Sequence, residues 1–456
     1  MTRADAEGLT AALARFVERT TFAELPPTTI ANAKIAILDT VACSLAASRF
    51  LVGAIMIDHV RGIGAPGPAT VWSGGYRTAA PLAAWVNGHL ANALDYDLAL
   101  HLDTHVAPAA FAMAEQLRVD GARLLEAYVV AHEVGARLMK ALDGQRSGGQ
   151  GISNRGWWHV GVVGPLDAAA AAARLLRLDA KQIAIALGIA SVSVGGFRRN
   201  LGTMAKALGS GKGARDGVHA AVLAKSGFTS EPAILESPMG LVAALCPSGE
   251  FDAAAVYDGL GTRYELESTP KCKPFPACGP ANAQIDSVLE LLKTQGVVPE
   301  AIERVVVGFH PLSLFRNDAR DEMEGAFSTP YIIAATLVDG EFGLRQLSDA
   351  RLHDARIRSL MARVEDDPAS PDRRVTVRLR DGRELVAEAS TRRTLRTWDE
   401  VVEKFDESAD TRITPSAAAE FKDAVSRLDT VADVSHVLDI LHRGTLARPD
   451  TEPAAP

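Results

Sequence analysis

Two lysines stand close together in Lys271-Cys272-Lys273-Pro274-Phe275-Pro276-Ala277-Cys278-Gly279, a segment that is otherwise apolar. Pro274 and Pro276 fix φ at about −65° and press the residue before each of them toward extended geometry, so the backbone carrying Lys273 has little freedom. An ammonium held this way suits an anionic ligand. Four further polar islands lie in apolar or glycine-rich surroundings. The first runs from Asn87-Gly88-His89 through Asp95-Tyr96-Asp97 and His101 to Asp103-Thr104-His105 and Pro108. The others are Arg155-Gly156-Trp157-Trp158-His159, Asn200-Leu201-Gly202-Thr203-Met204-Ala205-Lys206 and Ala326-Phe327-Ser328-Thr329-Pro330-Tyr331. Taken singly, each has an ordinary structural explanation: a hydrogen-bonded buried histidine, a helix-starting Ser-Thr-Pro, a solvated lysine.

Other chemistries are set aside by spacing. Cys272 and Cys278 do not have the spacing of a zinc knuckle, and no second pair or histidine cluster follows, so no metal site is expected. Gly209-Ser210-Gly211-Lys212-Gly213 has Lys206 where a phosphate loop needs its first glycine, and Gly213 where it needs Ser or Thr. The net charge of −8 comes without a basic stripe, which argues against a nucleic-acid partner.

These islands need a frame. A chain of 456 residues with 47% hydrophobic and 23% charged residues reads as globular and larger than one domain. The start, Met1 to Glu18, is acidic and amphipathic and lacks the pattern of a signal peptide. The longest uncharged stretch, Thr78 to Leu94, carries Pro81, Asn87, His89 and Asn92, which suit a lipid-facing helix poorly, so no membrane partner is expected. Cysteines at 43, 246, 272 and 278 are too scattered for a disulfide framework, and a reducing, cytoplasmic setting is expected.

Up to about residue 265 the pattern is helical, with an alanine run inside Asp167 to Leu176 and glycine-bearing breaks at 62–67, 144–151 and 195–202. The break at 144–151 is polar enough for a mobile loop. The texture then changes. Arg304 to Phe309 is strand-like, and Arg373 to Ala389 holds two alternating runs joined by Asp381-Gly382, a hairpin signal. From Thr397 to Arg443 helical spacing returns, as in Val401, Val402 and Phe405, and this tail is expected to pack on the first domain. The expected organisation is mainly α: a large helical domain from 1–267 and 397–446, an inserted smaller α+β lid domain at 268–396, and a disordered tail at 447–456.

The order of the islands resembles the MmgE/PrpD family, which includes 2-methylcitrate dehydratase, cis-aconitate decarboxylase and iminodisuccinate epimerase. Its carriers are Asn87-Gly88, Ala93-Leu94-Asp95-Tyr96-Asp97, Pro108-Ala109 to Ala114-Glu115 and Gly156-Trp157-Trp158-His159. Gly202-Thr203-Met204-Ala205-Lys206, Gly217 to Phe228, Lys273-Pro274-Phe275-Pro276 and Phe327-Ser328-Thr329-Pro330-Tyr331 complete the order over nearly the whole chain. The resemblance implies a homodimer with no metal or organic cofactor and a small polycarboxylate substrate. It implies a pocket between the domains holding Asp95, His101, His159, Lys206, Lys273 and Tyr331. Lys206 and Lys273, with Arg155, would meet substrate carboxylates. His101 and His159 would serve as acid and base, Asp95 would orient a histidine, and Tyr331 would donate to a leaving hydroxyl or an enediolate.

Departures from the family pattern fall in the same places. Asp-x-Asp-Asp-Thr before His-Pro-Ser becomes Asp95-Tyr96-Asp97-Leu98-Ala99-Leu100-His101-Leu102-Asp103, which leaves His105 as a rival to His101. Leu-His-x-Gly-Arg becomes Leu208-Gly209-Ser210-Gly211-Lys212, and a usual histidine is Asn282. A dehydratase-type lyase is the first expectation, an epimerase of an imino or amino dicarboxylate the second and a decarboxylase the third. A binding protein that has lost activity on the same fold is the alternative of another class.

Overall fold

Small side chains let the helices of this protein approach one another closely, and that closeness sets where the polar islands meet. The computed structural model describes residues 8–143, 151–268, 270–308, 318–369, 374–387 and 393–447. The expected mobile loop, apart from Gly151, and the expected disordered tail, apart from Ala447, lie outside the described residues.

The first body contains α1 (Leu9–Arg19), α2 (Pro27–Ala47), α3 (Leu51–Ile63), α4 (Ala80–Ala93), α5 (Asp103–Leu117) and α6 (Gly121–Asp143). It continues through α7 (His159–Leu175), α8 (Ala180–Ser191) and α9 (Ala205–Lys225) to the short α10 (Leu241–Leu245) and α11 (Ala253–Tyr257). Prolines in the first turns of α2 and α4 start helices whose missing N–H costs nothing there. Ala168 to Ala173 on α7 are completely buried. A Cβ on Gly217 of α9 would stand 2.5 Å from that of Ala168, and one on Gly211 would stand 2.4 Å from the Trp85 carbonyl oxygen of α4. Glycine at these two positions is therefore what lets α9 lie against α7 and α4.

Two three-residue strands, β1 (Ala69–Val71) and β2 (Tyr76–Thr78), form a small antiparallel ladder inside this body, where only helices were expected. Strands this short do not establish a period of two in the sequence. Among the described residues, α2 is the one helix long and apolar enough to cross a membrane, and 72% of its apolar window is buried inside the fold.

The second body holds α12 (Gly279–Gln295), β3 (Ile302–Gly308), α13 (Glu322–Phe327), α14 (Thr329–Asp339), α15 (Asp349–Leu352) and α16 (Ala355–Met361). β4 (Val364–Asp367), β5 (Val375–Leu379) and β6 (Glu384–Ala387) follow, giving a sheet of order β4-β3-β5-β6. β3 pairs parallel with β4 and antiparallel with β5, and β5 pairs antiparallel with β6. The turn between β5 and β6 holds Gly382 at φ 88°, a conformation glycine adopts without strain. Val375, Val377 and Leu379 alternate into the core.

The tail forms three helices, α17 (Trp398–Ala409), α18 (Pro415–Ser426) and α19 (Ser435–Gly444). They return to the first body: Val434 N–H donates to Val119 O at 2.9 Å, and Arg118 pairs with Asp433 at 2.7 Å. The fold is mainly helical, with the α+β body inserted between two runs of helices.

Candidate active site

The chain between α4 and α5 is bent by two non-glycine residues in the left-handed region, Asp95 at φ 52° and His101 at φ 62°. Each such conformation costs on the order of 1–3 kcal/mol and persists only where the surroundings hold it. At Asp95 two lysines do the holding. Lys206, in the first turn of α9, donates to Asp95 Oδ1 at 2.5 Å and to Asn92 O at 2.9 Å. Lys273, from the proline-clamped loop, donates to Asp95 Oδ2 and to Asp95 O, both at 2.6 Å. Asp95, Lys206 and Lys273 are 3%, 2% and 1% exposed, so this is a cluster closed to solvent and not a surface ion pair.

His101 closes one side of it. Its Nδ1 lies 2.6 Å from Asp97 Oδ2, which assigns the proton to Nδ1 and leaves Nε2 as the acceptor, 3.7 Å from Asp95 Oδ1. Asn92 Nδ2 donates to the same Asp97 oxygen at 3.4 Å. The His101 ring faces that of His159, at the start of α7, with centroids 6.1 Å apart and planes at 28°. Trp158 lies beside both histidines, 5.6 Å from His101 and 4.4 Å from His159. Lys206 Nζ sits 5.8 Å from the Trp158 ring and 5.5 Å from the ring of Phe327, which α13 brings in from the second body.

Burial and charge oppose each other in this space. Burial would raise the Asp95 carboxyl, but Lys206, Lys273 and His101 outweigh it and hold the group well below the usual carboxylate range. Asp97 is lowered too, since His101 overcomes its burial with help from the lysines. Burial pushes His101 below the ordinary imidazole value in spite of Asp97, and it pushes His159 down to about 3, with Lys206 and Arg198 among the charges that add to the effect. Both imidazoles are therefore neutral, and two carboxylates balance two ammoniums.

The structure brings Asp95, His101, His159, Lys206 and Lys273 together. Three expected neighbours stand elsewhere. The Tyr331 hydroxyl donates to Gln346 O inside the second body, where α14 carries the ring. Arg155 pairs with Glu250 at 2.6 Å and donates to Leu245 O, which directs its guanidinium away from the lysines. His105 is fully buried against Asp167, Nδ1 to Oδ1 at 2.7 Å, between α5 and α7. The variant positions act as braces. Asn282 donates to Ala277 O at 2.9 Å within the lysine loop, and Ser210 donates to Thr104 Oγ1 at 2.7 Å, whose own hydroxyl donates to His101 O at 2.6 Å.

A buried cation beside the lysine loop, absent from the sequence expectations, completes the surroundings. Lys404 of α17 donates to Asp39 Oδ1, Tyr96 O and Lys273 O at 2.6, 2.7 and 3.2 Å. The available signal was a lysine on the buried stripe of α17, together with Val401, Phe405 and Ser408.

Asp95, Asp97 and His101 present ligand atoms within 4.8 Å of one another, a spacing that a metal ion could use. Both Asp95 oxygens, however, already accept from an ammonium, so a divalent cation would have to displace two charges of its own sign. A cavity of about 700 Å³ is lined by Leu98, Ala99 and Leu100 together with Asp103, His132, Arg137 and Lys271 among others.

Residues 11–254 match the MmgE/PrpD N-terminal domain and residues 275–430 match the MmgE/PrpD C-terminal domain. The chain belongs to the MmgE/PrpD family. It is 25% identical to a cis-aconitate decarboxylase of Aspergillus terreus over 95% of this chain and 96% of that one. It is also 26% identical to the cis-aconitate decarboxylase of Homo sapiens over 82% of each chain, and 27% identical to that of Mus musculus over 71% of this chain and 70% of that one. Asp95, His101, His159 and Lys206 fall inside the N-terminal match, whereas Lys273 stands just before the C-terminal one. The MmgE/PrpD relationship thus spans both bodies that build the cluster.

Proposed function

We propose that the chain is a lyase that removes CO₂ from a small unsaturated polycarboxylate of the cis-aconitate type, using its own side chains as acid and base. The buried Lys206–Asp95–Lys273 group beside two neutral histidines carries this reading. The cluster is neutral in itself, and Lys206 has a hydrogen beyond the two it donates to Asn92 and Asp95 with which to meet a substrate carboxylate.

In cis-aconitate the carboxylate on the saturated carbon leaves as CO₂. The electrons of the broken C–C bond move into the neighbouring double bond, and the charge spreads onto the carboxylate beyond it as an enediolate. Lys206 and Lys273 lower the energy of that charge. A proton from His101 or His159 then closes the far carbon, and the double bond comes to rest as a terminal methylene. A bound trianion raises both imidazole pKa values, so the substrate itself prepares the proton donor.

Dehydration was the first expectation, and the orientation of Tyr331 moves it behind decarboxylation. Loss of hydroxide calls for a donor at the leaving oxygen, and the hydroxyl assigned to that task donates to Gln346 O. The decarboxylase activity for which the relatives are named points the same way.

Proton NMR of the purified protein with cis-aconitate in D₂O containing EDTA tests the reading. Growth of terminal methylene signals, with deuterium on the newly protonated carbon, is the expected result. Water loss from citrate or 2-methylcitrate without CO₂ release would reassign it to dehydration, and α-proton exchange with inversion in iminodisuccinate would reassign it to epimerisation. No change in any of these acids would favour a binding protein on this fold.

A further inference from the structure

Lys404 is 4% exposed, and a buried ammonium is costly unless its hydrogens and its charge are met. Its three hydrogens reach Asp39 Oδ1, Tyr96 O and Lys273 O, and Nζ lies 3.7 Å from the centre of the Tyr96 ring. Asp39 is itself fully buried on α2, with Cys43 Sγ 3.9 Å from its other oxygen. The ion pair with Asp39 accounts for the charge. It does not account for the two carbonyls, which belong to the residue after Asp95 and to Lys273 itself.

The Lys404 ammonium therefore fixes the backbone on both sides of the Asp95–Lys273 contact, one side of which is the strained turn at φ 52°. Other bonds tie these loops at neighbouring points, Ala99 N–H to Lys271 O at 3.2 Å and Cys272 N–H to Leu395 O at 3.1 Å. Neither reaches Tyr96 O or Lys273 O. We infer that Lys404 is a positioning residue for the reaction: from α17 it sets the separation of Asp95 and Lys273 without touching substrate. This rests on reading the Asp95–Lys273 contact as part of the catalytic site.

The test is Lys404→Met, which keeps length and removes charge, followed by steady-state turnover of cis-aconitate and by backbone hydrogen exchange of the substrate-free protein. We expect kcat to fall about a hundredfold with KM changed less than about threefold, because substrate contacts stay while geometry loosens. Exchange should rise at least about tenfold in peptides covering 92–101 and 271–278. Asp39→Asn, which strands the charge but leaves both carbonyl acceptors in place, should raise exchange in those peptides no more than in the rest of the protein. The proposal is overturned if Lys404→Met leaves kcat within about twofold of wild type, or if faster exchange is confined to α2 and α17, as a packing role would give. Should Lys404→Met not fold, Lys404→Gln must show the same pattern or the proposal falls. A wild-type protein that turns over no polycarboxylate would sink the proposed function, while the exchange data alone would still judge the clamp.

Discussion

Asp95 and Asp97 face Lys206 and Lys273 where water is excluded, so the charge of the cluster is zero only while all four are present and His101 is neutral. Lys273→Met leaves one carboxylate uncompensated in a buried space. We expect it to abolish measurable turnover and to lower stability by roughly 3–5 kcal/mol, the usual result of breaking a buried ion pair from one side. Adding Asp95→Asn restores the balance, with Asp97 against Lys206, so the double variant should regain much of the stability and none of the activity. Urea unfolding and turnover assays of the three proteins decide it; a stable single variant or an active double variant would each contradict the charge count. The sequence carried Lys206, Lys273, Asp95, His101 and His159 visibly, because each sits in a polar island bounded by glycine, proline or apolar runs. It could not carry the aim of Tyr331, which depends on a carbonyl at Gln346 that only the folded second body presents. Lys404 stayed hidden because helical spacing is marked by the apolar Val401, Val402 and Phe405, and a lysine between them carries no local sign of burial.

At the scale of the element, the site depends on how near α9 comes to its neighbours, since Lys206 stands in the first turn of α9. A methyl group on Gly211 would meet the Trp85 backbone oxygen at 2.4 Å, and backbone cannot step aside as a flexible side chain can. Gly211→Ala should therefore cost about 1–3 kcal/mol and shift α9 away from α4, reducing turnover through Lys206. Gly209→Ala is the contrast: its Cβ would find nothing nearer than Trp158 Cδ1 at 3.5 Å, an ordinary contact. That change should be neutral or should stabilise α9 by up to about 1 kcal/mol, because alanine restricts the unfolded chain. Thermal unfolding of the two variants side by side separates close approach from propensity, and equal effects would refute the packing argument. The helices and the β5–β6 hairpin were legible because alanine runs, alternation and Asp381-Gly382 are local signals. The β1–β2 ladder was not, since three residues to a strand leave no period to read.

For the whole molecule, the start of α3 is where the two bodies and a buried histidine converge. Glu322 Oε1 of the second body accepts from Val52 N–H at 2.8 Å, and His89 of α4 lies against the backbone of Val52 and of Ala207 on α9. Burial lowers the His89 pKa from 6.5 to about 4. The unfolded chain thus binds a proton at this position below pH 6.5 that the folded protein refuses until about pH 4, so stability falls as pH drops through that window. Asp39 and Asp167 act in the opposite sense: burial raises each from 3.8 to about 6, so the folded state takes up their protons first and gains stability as pH falls from 6 to 3.8. His89→Gln removes the acid-labile contribution of His89 and leaves both carboxyl contributions in place. Between pH 7.5 and 4.5 the variant should lose less stability than wild type by on the order of 2 kcal/mol, since a group protonated in one state and not in the other contributes about 1.4 kcal/mol per pH step of one. Its stability at pH 7.5 can be lower, because an amide fills the space less well, without touching the prediction, which concerns the slope. Unfolding measured at the two pH values gives that slope directly. Parallel lines for the two proteins would mean that His89 is protonated as readily folded as unfolded, and that acid loosens the join between the bodies by another group.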